Sequence, residues 1–316
     1  MRDLDDQLVT MLRYDGRATY AELAARLHVP RGLVAARVRA LLDDGTIRVT
    51  ASVHPELLGQ HAIGHVSIHV DGPADQVIDA LRADPAVVLA TAVAGAFDVV
   101  AEIRTQTNRE LFDRVGAVRA LPYVTRVETL QYVDVPFGIL IPSRPRPGTR
   151  LDGVDLKAIA LLSVDGRTSY ADLGRVLGIS GPAARKRVVR LLDDGVLKIG
   201  ATQSRRSGSG PVAAGIGLNT SAQDVSPTVD RLRRTGGIEF VATTLGRYDI
   251  VATLGVAAEA TLAERLNRLR KMPGVTRLES WIHLQVFKER YEVSSDEDPR
   301  ATAGRRPAVR SGPAVT

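Results

Sequence analysis

The pentapeptide Leu-Leu-Asp-Asp-Gly stands at Leu41–Gly45 and again at Leu191–Gly195 of a 316-residue chain. Extended outward, the two copies align without a gap, Asp15–Ala51 against Asp165–Ala201, with 15 identities in 37 positions. Many of the differences are conservative, as in Glu22/Asp172, Val29/Ile179 and Arg48/Lys198. The match resumes at "GAFDVVAEI" from Gly95 and "GRYDIVATL" from Gly246, and at "PYVTRVET" from Pro122 and "PGVTRLES" from Pro273, one residue further out of step. Solenoid repeats run to roughly 20–50 residues, so a period of this length is that of one or two domains. The chain is a duplicated unit, and a fold that suits one half must suit the other.

Composition narrows the options. There is no cysteine, which excludes a disulfide scaffold, a thiol nucleophile and thiolate metal sites. The opening "MRDLDDQLV" is acidic and amphipathic and does not read as a signal peptide. The most apolar run, "AVVLATAVAGAF", is too short to cross a bilayer and reads as buried strand. A cytoplasmic protein without a membrane partner is expected. The net charge of +6 is unevenly spread: residues 150–206 carry 11 basic and 6 acidic side chains, residues 53–149 carry 8 and 11. The basic second copy has the footprint of a nucleic-acid surface, although a solvated charged face would look the same by charge alone.

Within the first copy, Leu4, Leu8, Met11 and Leu12 recur at helical spacing up to Gly16. A second helix opens at Thr19 or Tyr20 with Leu23, Ala24 and Leu27 as its stripe, and "HVPRG" is a short turn. A third helix turns Val34, Val38, Leu41 and Leu42 inward and ends at Gly45, which suits a left-handed cap. "TIRVTASV" then alternates like a strand. This is a helix-turn-helix with a wing, whose second helix of the motif enters the major groove. The candidate DNA-contacting residues are Arg31, Arg37, Arg39 and Arg48 in the first copy, and Ser180, Arg185, Lys186, Arg187, Arg190 and Lys198 in the second. Ser180 reads equally as an N-cap or a phosphate contact, and Arg37 and Arg187 as DNA contacts or as packing within the domain.

The remainder of each half reads strand-helix-strand-strand-helix-strand, the ferredoxin-like βαββαβ order. In the first half these segments are "HAIGHVSIHV", "ADQVIDALRAD", "AVVLATAVAG", "AFDVVAEI", "NRELFDRVGAVRAL" and "YVTRVETLQYV". The fold class is therefore α+β: a winged helix-turn-helix plus a ferredoxin-like βαββαβ domain, duplicated in tandem. The expected boundaries are 1–52 and 151–204 for the DNA-binding domains and 60–136 and 211–293 for the ferredoxin-like domains. A Pro-rich, semi-rigid linker is expected at 137–150, and a disordered tail at 294–316. His61, His65 and His69 share one strand face roughly 13 Å apart, too far for two of them to reach one metal. A chance enrichment on an exposed face is expected rather than a pH sensor.

The stretches "LDDQLVTMLRYDGRATYAELAARLHV", "RVRALLDDGTI", "GAFD" and "LPYVTRVET" resemble the leucine-responsive/asparagine-synthetase (Lrp/AsnC) regulator family. The resemblance covers nearly all of residues 3–136 and again 151–293. It implies a DNA-binding transcriptional regulator whose ferredoxin-like domains dimerise through their sheets and bind a small effector, usually an amino acid. Two fused units imply a pseudo-dimer within one chain, and further assembly into a homo-oligomer. Carried over by position, the effector sites involve Gly95, Asp98 and Thr129 in the first half and Gly246, Asp249 and Ser280 in the second. Each aspartate either meets an effector ammonium or caps the turn. The sequence departs from the family where "PRG" opens the first recognition helix and where "TQSRRSGSGP" replaces the link "VHPELLG". That second link offers Arg205 and Arg206 to phosphate.

Double-stranded DNA and a small molecule are thus the expected partners, with no cofactor and no catalysis, since no triad, phosphate loop or metal-ligand cluster is evident. Two alternatives stand beside the regulator. Sirohaem decarboxylases resemble the family's architecture, but would need histidine and arginine around a tetrapyrrole, and the strand histidines lie in one half only. An effector-free DNA-architectural protein is the other.

Overall fold

The computed structural model describes residues 2–142, 144–203, 212–256 and 259–290. Arg205, Arg206 and the tail from Ser294 lie outside the described residues. The first half runs α1 (Arg2–Tyr14), α2 (Tyr20–Leu27), α3 (Arg31–Asp43), β1 (Ile47–Val53), β2 (Ala62–Val70), α4 (Asp75–Ala83), β3 (Val87–Ala94), β4 (Val99–Thr105), α5 (Asn108–Arg119) and β5 (Val124–Gly138). The second repeats it: α6 (Gly153–Val164), α7 (Tyr170–Leu177), α8 (Gly181–Asp193), β6 (Leu197–Gln203), β7 (Val212–Thr220), α9 (Val225–Arg234), β8 (Ile238–Leu245), β9 (Ile250–Val256), α10 (Glu259–Arg270) and β10 (Val275–Glu289).

Local chemistry sets the helix ends. Thr19 starts α2 through a capping box, its hydroxyl accepting from the Glu22 amide while the Glu22 carboxylate accepts from the Thr19 amide. Ser169 caps α7 in the same place. The repeated pentapeptide closes α3 and α8: Leu41 and Leu191 are buried, Asp44 and Asp194 are C-caps, and Gly45 and Gly195 turn the chain at φ +71° and +70°. A side chain would be strained there, so the glycine is fixed by backbone geometry.

The six helices of the two helix-turn-helix motifs share one core. Leu8, Leu12, Val34 and Val38 from one half pack in a single cluster with Leu162, Leu173, Val188 and Leu191 from the other. β1 pairs antiparallel with β6, from Ile47 opposite Gln203 to Val53 opposite Leu197. The strand that follows each third helix therefore finds its partner in the other half. Thr50 and Ser52 are buried on β1, and the Thr50 hydroxyl donates to the Ser163 carbonyl at 2.7 Å, because a buried hydroxyl needs a partner.

The ferredoxin-like parts form antiparallel sheets of order β3-β4-β2-β5 and β8-β9-β7-β10. Helices α4 and α5 cover the outer face of the first over Val66, Ile68 and Ile103. Helices α9 and α10 cover the second over Ile216, Leu218 and Leu254. The 15-residue strands β5 and β10 extend beyond their own sheets: β5 pairs with β8 and β10 with β3, closing all eight strands into a barrel. Its interior is packed by Val93, Phe97, Val100, Leu130, Tyr248, Val251 and Trp281.

Two expectations change here. Phe137 and Gly138 belong to β5, opposite Val241 and Phe240, and Ile139 and Leu140 are buried. The apolar "FGILI" run is thus packed structure, because β8 and the barrel end offer it backbone and apolar partners. The histidine face is not exposed along its length. His61 is exposed and His69 half-buried, but His65 is only 5% exposed, because barrel closure lays the second sheet over that face.

Candidate functional site

Helices α3 and α8 occupy the recognition position. On α3, Arg31 and Arg39 are exposed; on α8, Arg185 and Lys186 are exposed. Arg37 instead donates to Asp5 of α1 at 2.8 Å. Its counterpart Arg187 reaches Asp152, the N-cap of α6, at 2.7 Å and Asp155 within α6 at 2.9 Å, and Arg190 also pairs with Asp155, which is 1% exposed. These three guanidiniums hold the third helix to the first. Ser180 caps α8, its hydroxyl accepting from the Ala183 amide at 3.3 Å, whereas Pro30 at the same point of α3 makes no side-chain cap. Arg48 is exposed on β1 and contacts the Val164 carbonyl at 3.4 Å. Lys198 is half-buried, donates to the Gly138 carbonyl at 3.2 Å, and has its pKa lowered by burial. It is spent on the segment linking the halves.

Sequence reasoning missed a reciprocal clamp between the two motifs. Arg17 donates to the Gly166 and Thr168 carbonyls at 2.8 and 3.0 Å, and Arg167 to those of Gly16 and Ala18 at 2.8 and 3.3 Å. Each guanidinium also lies over the other half's tyrosine, Arg17 at 4.3 Å from Tyr170 and Arg167 at 5.3 Å from Tyr20. The repeated Asp-Gly-Arg with tyrosine three residues on was the available signal.

The residues carried over as effector contacts regroup across the halves. The turn at Gly95 leans on β10, where an added Cβ would meet the Ser280 carbonyl at 3.1 Å. The turn at Gly246 leans on β5, against Leu130 and, at 3.5 Å, the Thr129 carbonyl. Gly95 therefore keeps company with Ser280, and Gly246 with Thr129. Asp98 Oδ2 accepts from the Val70 amide at 2.9 Å and Asp249 Oδ2 from that of Thr220 at 2.8 Å, so both carboxylates cap a strand end. The clefts are unlike. Arg247 in the second turn bridges Glu128 at 3.1 Å and Glu279 at 2.7 Å, while the first turn has Ala96 in its place. The Tyr248 hydroxyl also donates to Glu279. Burial and that carboxylate raise the Tyr248 pKa.

A cavity of about 110 Å³ opens between the barrel and the helix-turn-helix layer. Its barrel side is lined by His65, Glu102, Tyr132, Phe240, Trp281 and His283, and its other side by Arg13 of α1, Ala201 and Thr202 of β6, and residues 138–141. Arg13 pairs with Glu239, and Glu102 with Arg104 at 2.7 Å in an almost fully buried pair. His65 lies 5.6 Å from the Trp281 ring, and burial pushes its pKa down to about 4. The sequence placed the histidines in one half; the structure brings His283, from β10, to the same cavity, with its Nδ1 3.3 Å from the Thr91 hydroxyl.

Against this geometry, the chain's similarities are consistent. Residues 151–192 match the AsnC-type helix-turn-helix domain, residues 1–48 the winged helix-turn-helix DNA-binding domain, and residues 213–293 the Lrp/AsnC ligand binding domain. The HTH-type transcriptional regulator Ptr1 of Methanocaldococcus jannaschii is 33% identical over 102 residues, 32% of this chain and 69% of that protein. The HTH-type transcriptional regulator LysM of Sulfurisphaera tokodaii is 28% identical over 138 residues, 43% of this chain and 97% of that protein. Each such relative corresponds in length to one half. The crystal structure of the siroheme decarboxylase NirDL superposes with a TM-score of 0.61 at 15% identity, covering 95% of this chain and 97% of that one, a likeness of fold. By its two helix-turn-helix motifs, its ligand-binding domain and these relatives, the chain belongs to the Lrp/AsnC family of HTH-type transcriptional regulators.

Proposed function

We propose that this regulator is a single-chain pseudo-dimer that reads two unequal DNA half-sites. Residues 1–52 and 151–204 are its DNA-binding heads, and residues 60–136 and 211–293 its effector layer. The observation that carries the reading is that the β1–β6 ladder and the Arg17/Arg167 clamp fix together two heads with different exposed basic faces. Arg31 and Arg39 serve the first head and Arg185 and Lys186 the second, with Arg48 and Ser180 at their margins. Phosphate contacts supply affinity, and base contacts the choice of sequence. A small-molecule effector, an amino acid by family resemblance, sits where Gly95 and Asp98 meet Ser280 and where Gly246 and Asp249 meet Thr129. Binding there shifts the two sheets and with them the heads. Chains assemble further into a homo-oligomer.

Selection of genomic fragments by the purified chain at near-physiological salt, followed by sequencing, tests this. Enriched sites with two different half-motifs spaced by about 10 bp are expected. The R185A/K186A variant relaxes one half-motif and lowers the salt slope by about 1 per lost phosphate contact. Uniform retention of all fragments would point to an architectural protein.

One observation favours the decarboxylase reading: His65, His283 and Arg13 line one cavity. The same cavity argues against it. At about 110 Å³ it is smaller than the roughly 150 Å³ cavity that takes up a benzene ring, far short of four pyrroles. Its lining arginine, Arg13, is already paired with Glu239 and is not spare for a substrate carboxylate. Absence of any DNA retention, with tetrapyrrole binding instead, would reinstate the enzyme.

A further inference from the structure

The strand register matches the halves in space as the repeat does in sequence. His65 opposite Leu130 corresponds to Gly215 opposite Trp281, and Ser67 opposite Glu128 to Gly217 opposite Glu279. Glu128 and Glu279 are therefore equivalent, one from each half. In the turns between the central strands, Ala96 corresponds to Arg247 and Phe97 to Tyr248.

One guanidinium meets both members of each equivalent pair. Arg247 Nη1 lies 3.1 Å from Glu128, and its Nη2 lies 2.7 Å from Glu279. Its Cζ lies 5.8 Å from the centre of the Phe97 ring and 5.3 Å from that of Tyr248. A group so nearly equidistant from partners that a pseudo-twofold axis relates must lie close to that axis. Arg126 and Arg277 do not share this place: each pairs with the glutamate two residues along its own strand, and each is mostly exposed. The Arg247, Glu128 and Glu279 side chains are all largely covered, so water screens their bridge only in part.

A group on a twofold axis cannot be doubled, because its symmetry mate would need the same space. Two second halves paired with each other would bring two copies of Arg247 to one place, and one alone could enter. Two first halves would bring none, since Ala96 stands there, and their two glutamates would lack the bridge. We propose that Arg247 is a pairing-specificity residue: through it, the barrel face of each half fits the unlike half and disfavours a second copy of itself. Specificity of this kind is a difference between two pairings, and the count is direct. Two chains, each paired within itself, hold two filled bridges. The same two chains paired like with like hold one filled and one empty. The bridge therefore opposes like-with-like exchange between molecules, which would part the two unlike helix-turn-helix motifs.

The turns at Gly95 and Gly246 share a backbone shape, with φ of +131° and +139°, so an arginine at position 96 can reach the same place from the other side. Three full-length variants reproduce the alternatives within one chain. R247A has the empty bridge of two first halves, and A96R the doubly supplied bridge of two second halves. A96R/R247A fills the bridge once, from the opposite half. Urea denaturation reads all three. R247A is expected to lower the ratio of folded to unfolded chain about tenfold. Adding A96R to R247A should restore most of that loss, whereas A96R in the unaltered chain should bring no gain. An unmoved midpoint for R247A would overturn the proposal. So would failure of A96R to rescue R247A, or an equal gain from A96R with and without Arg247. If R247A does not fold, A96R/R247A, which keeps the parent's charge, decides: a midpoint near the parent's supports the proposal, and an unfolded chain overturns it. These readouts involve no DNA, so their failure leaves the regulator reading standing, and the loss of specific DNA binding leaves the pairing residue standing.

Discussion

The two halves of the barrel solve the same packing problem differently. In the second half, large aromatics lie over glycines, Trp281 on Gly215 and Tyr248 on Gly217. In the first, His65 faces Leu130 and no such large-on-small pairing occurs at the matching place. A dimer of identical chains must present the same patch twice, because residue i meets j and j meets i. A fused pair is released from that rule. The difference shows that two halves alike in strand order are packed inside by different side chains.

The largest effect should come from removing the ring. W281A is expected to cost about 3–5 kcal/mol, read from the urea midpoint, because the glycine opposite cannot fill the void. The mirror experiment sharpens the comparison: L130W should cost about 1–3 kcal/mol by overpacking against His65, and H65G should relieve much of it. A silent L130W would mean that the halves are interchangeable after all.

Acid should separate the halves next. His65 is held near a pKa of about 4 by burial, below its ordinary 6.5, and its counterpart Gly215 cannot titrate. Between those values the unfolded chain binds the extra proton, so stability is intact above about pH 6.5 and falls as the pH drops toward 4. The loss through this group is about 3 kcal/mol. Urea midpoints at pH 7, 5.5 and 4 should show it, and the H65L variant should lose that portion of the slope.

The helix-turn-helix layer provides the symmetric control. R17A and R167A should each cost about 1–2 kcal/mol, and nearly equally, since each removes two carbonyl contacts and a tyrosine stack. Unequal costs in thermal denaturation would extend the asymmetry into this layer. The smallest difference is at the helix starts: S180A should cost about 1 kcal/mol, whereas P30A removes no side-chain cap, because Pro30 makes none.

The sequence was most legible where structure is local and repeated. The helix start at Thr19 or Tyr20, the left-handed glycine that ends the first "LLDDG" and the βαββαβ order all follow from short-range periodicity and turn chemistry. What it hid was the pairing between halves. Alternation on β2 says that His65 and His69 share a face, but not that a second sheet will cover it. The third-helix arginines were indistinguishable from DNA contacts until Asp5, Asp152 and Asp155 were seen beside Arg37, Arg187 and Arg190. The glycines at 215 and 217 were a readable sign of rings lying on a strand, and the lone tryptophan was the ring to look for.

The β1–β6 ladder joins two strands of one molecule. Two separate chains would have to find each other, surrendering translational freedom each time, and dilution would pull them apart. Here the pairing is intramolecular and does not weaken as copy number falls. The two helix-turn-helix motifs therefore stay paired in every molecule, however dilute the protein.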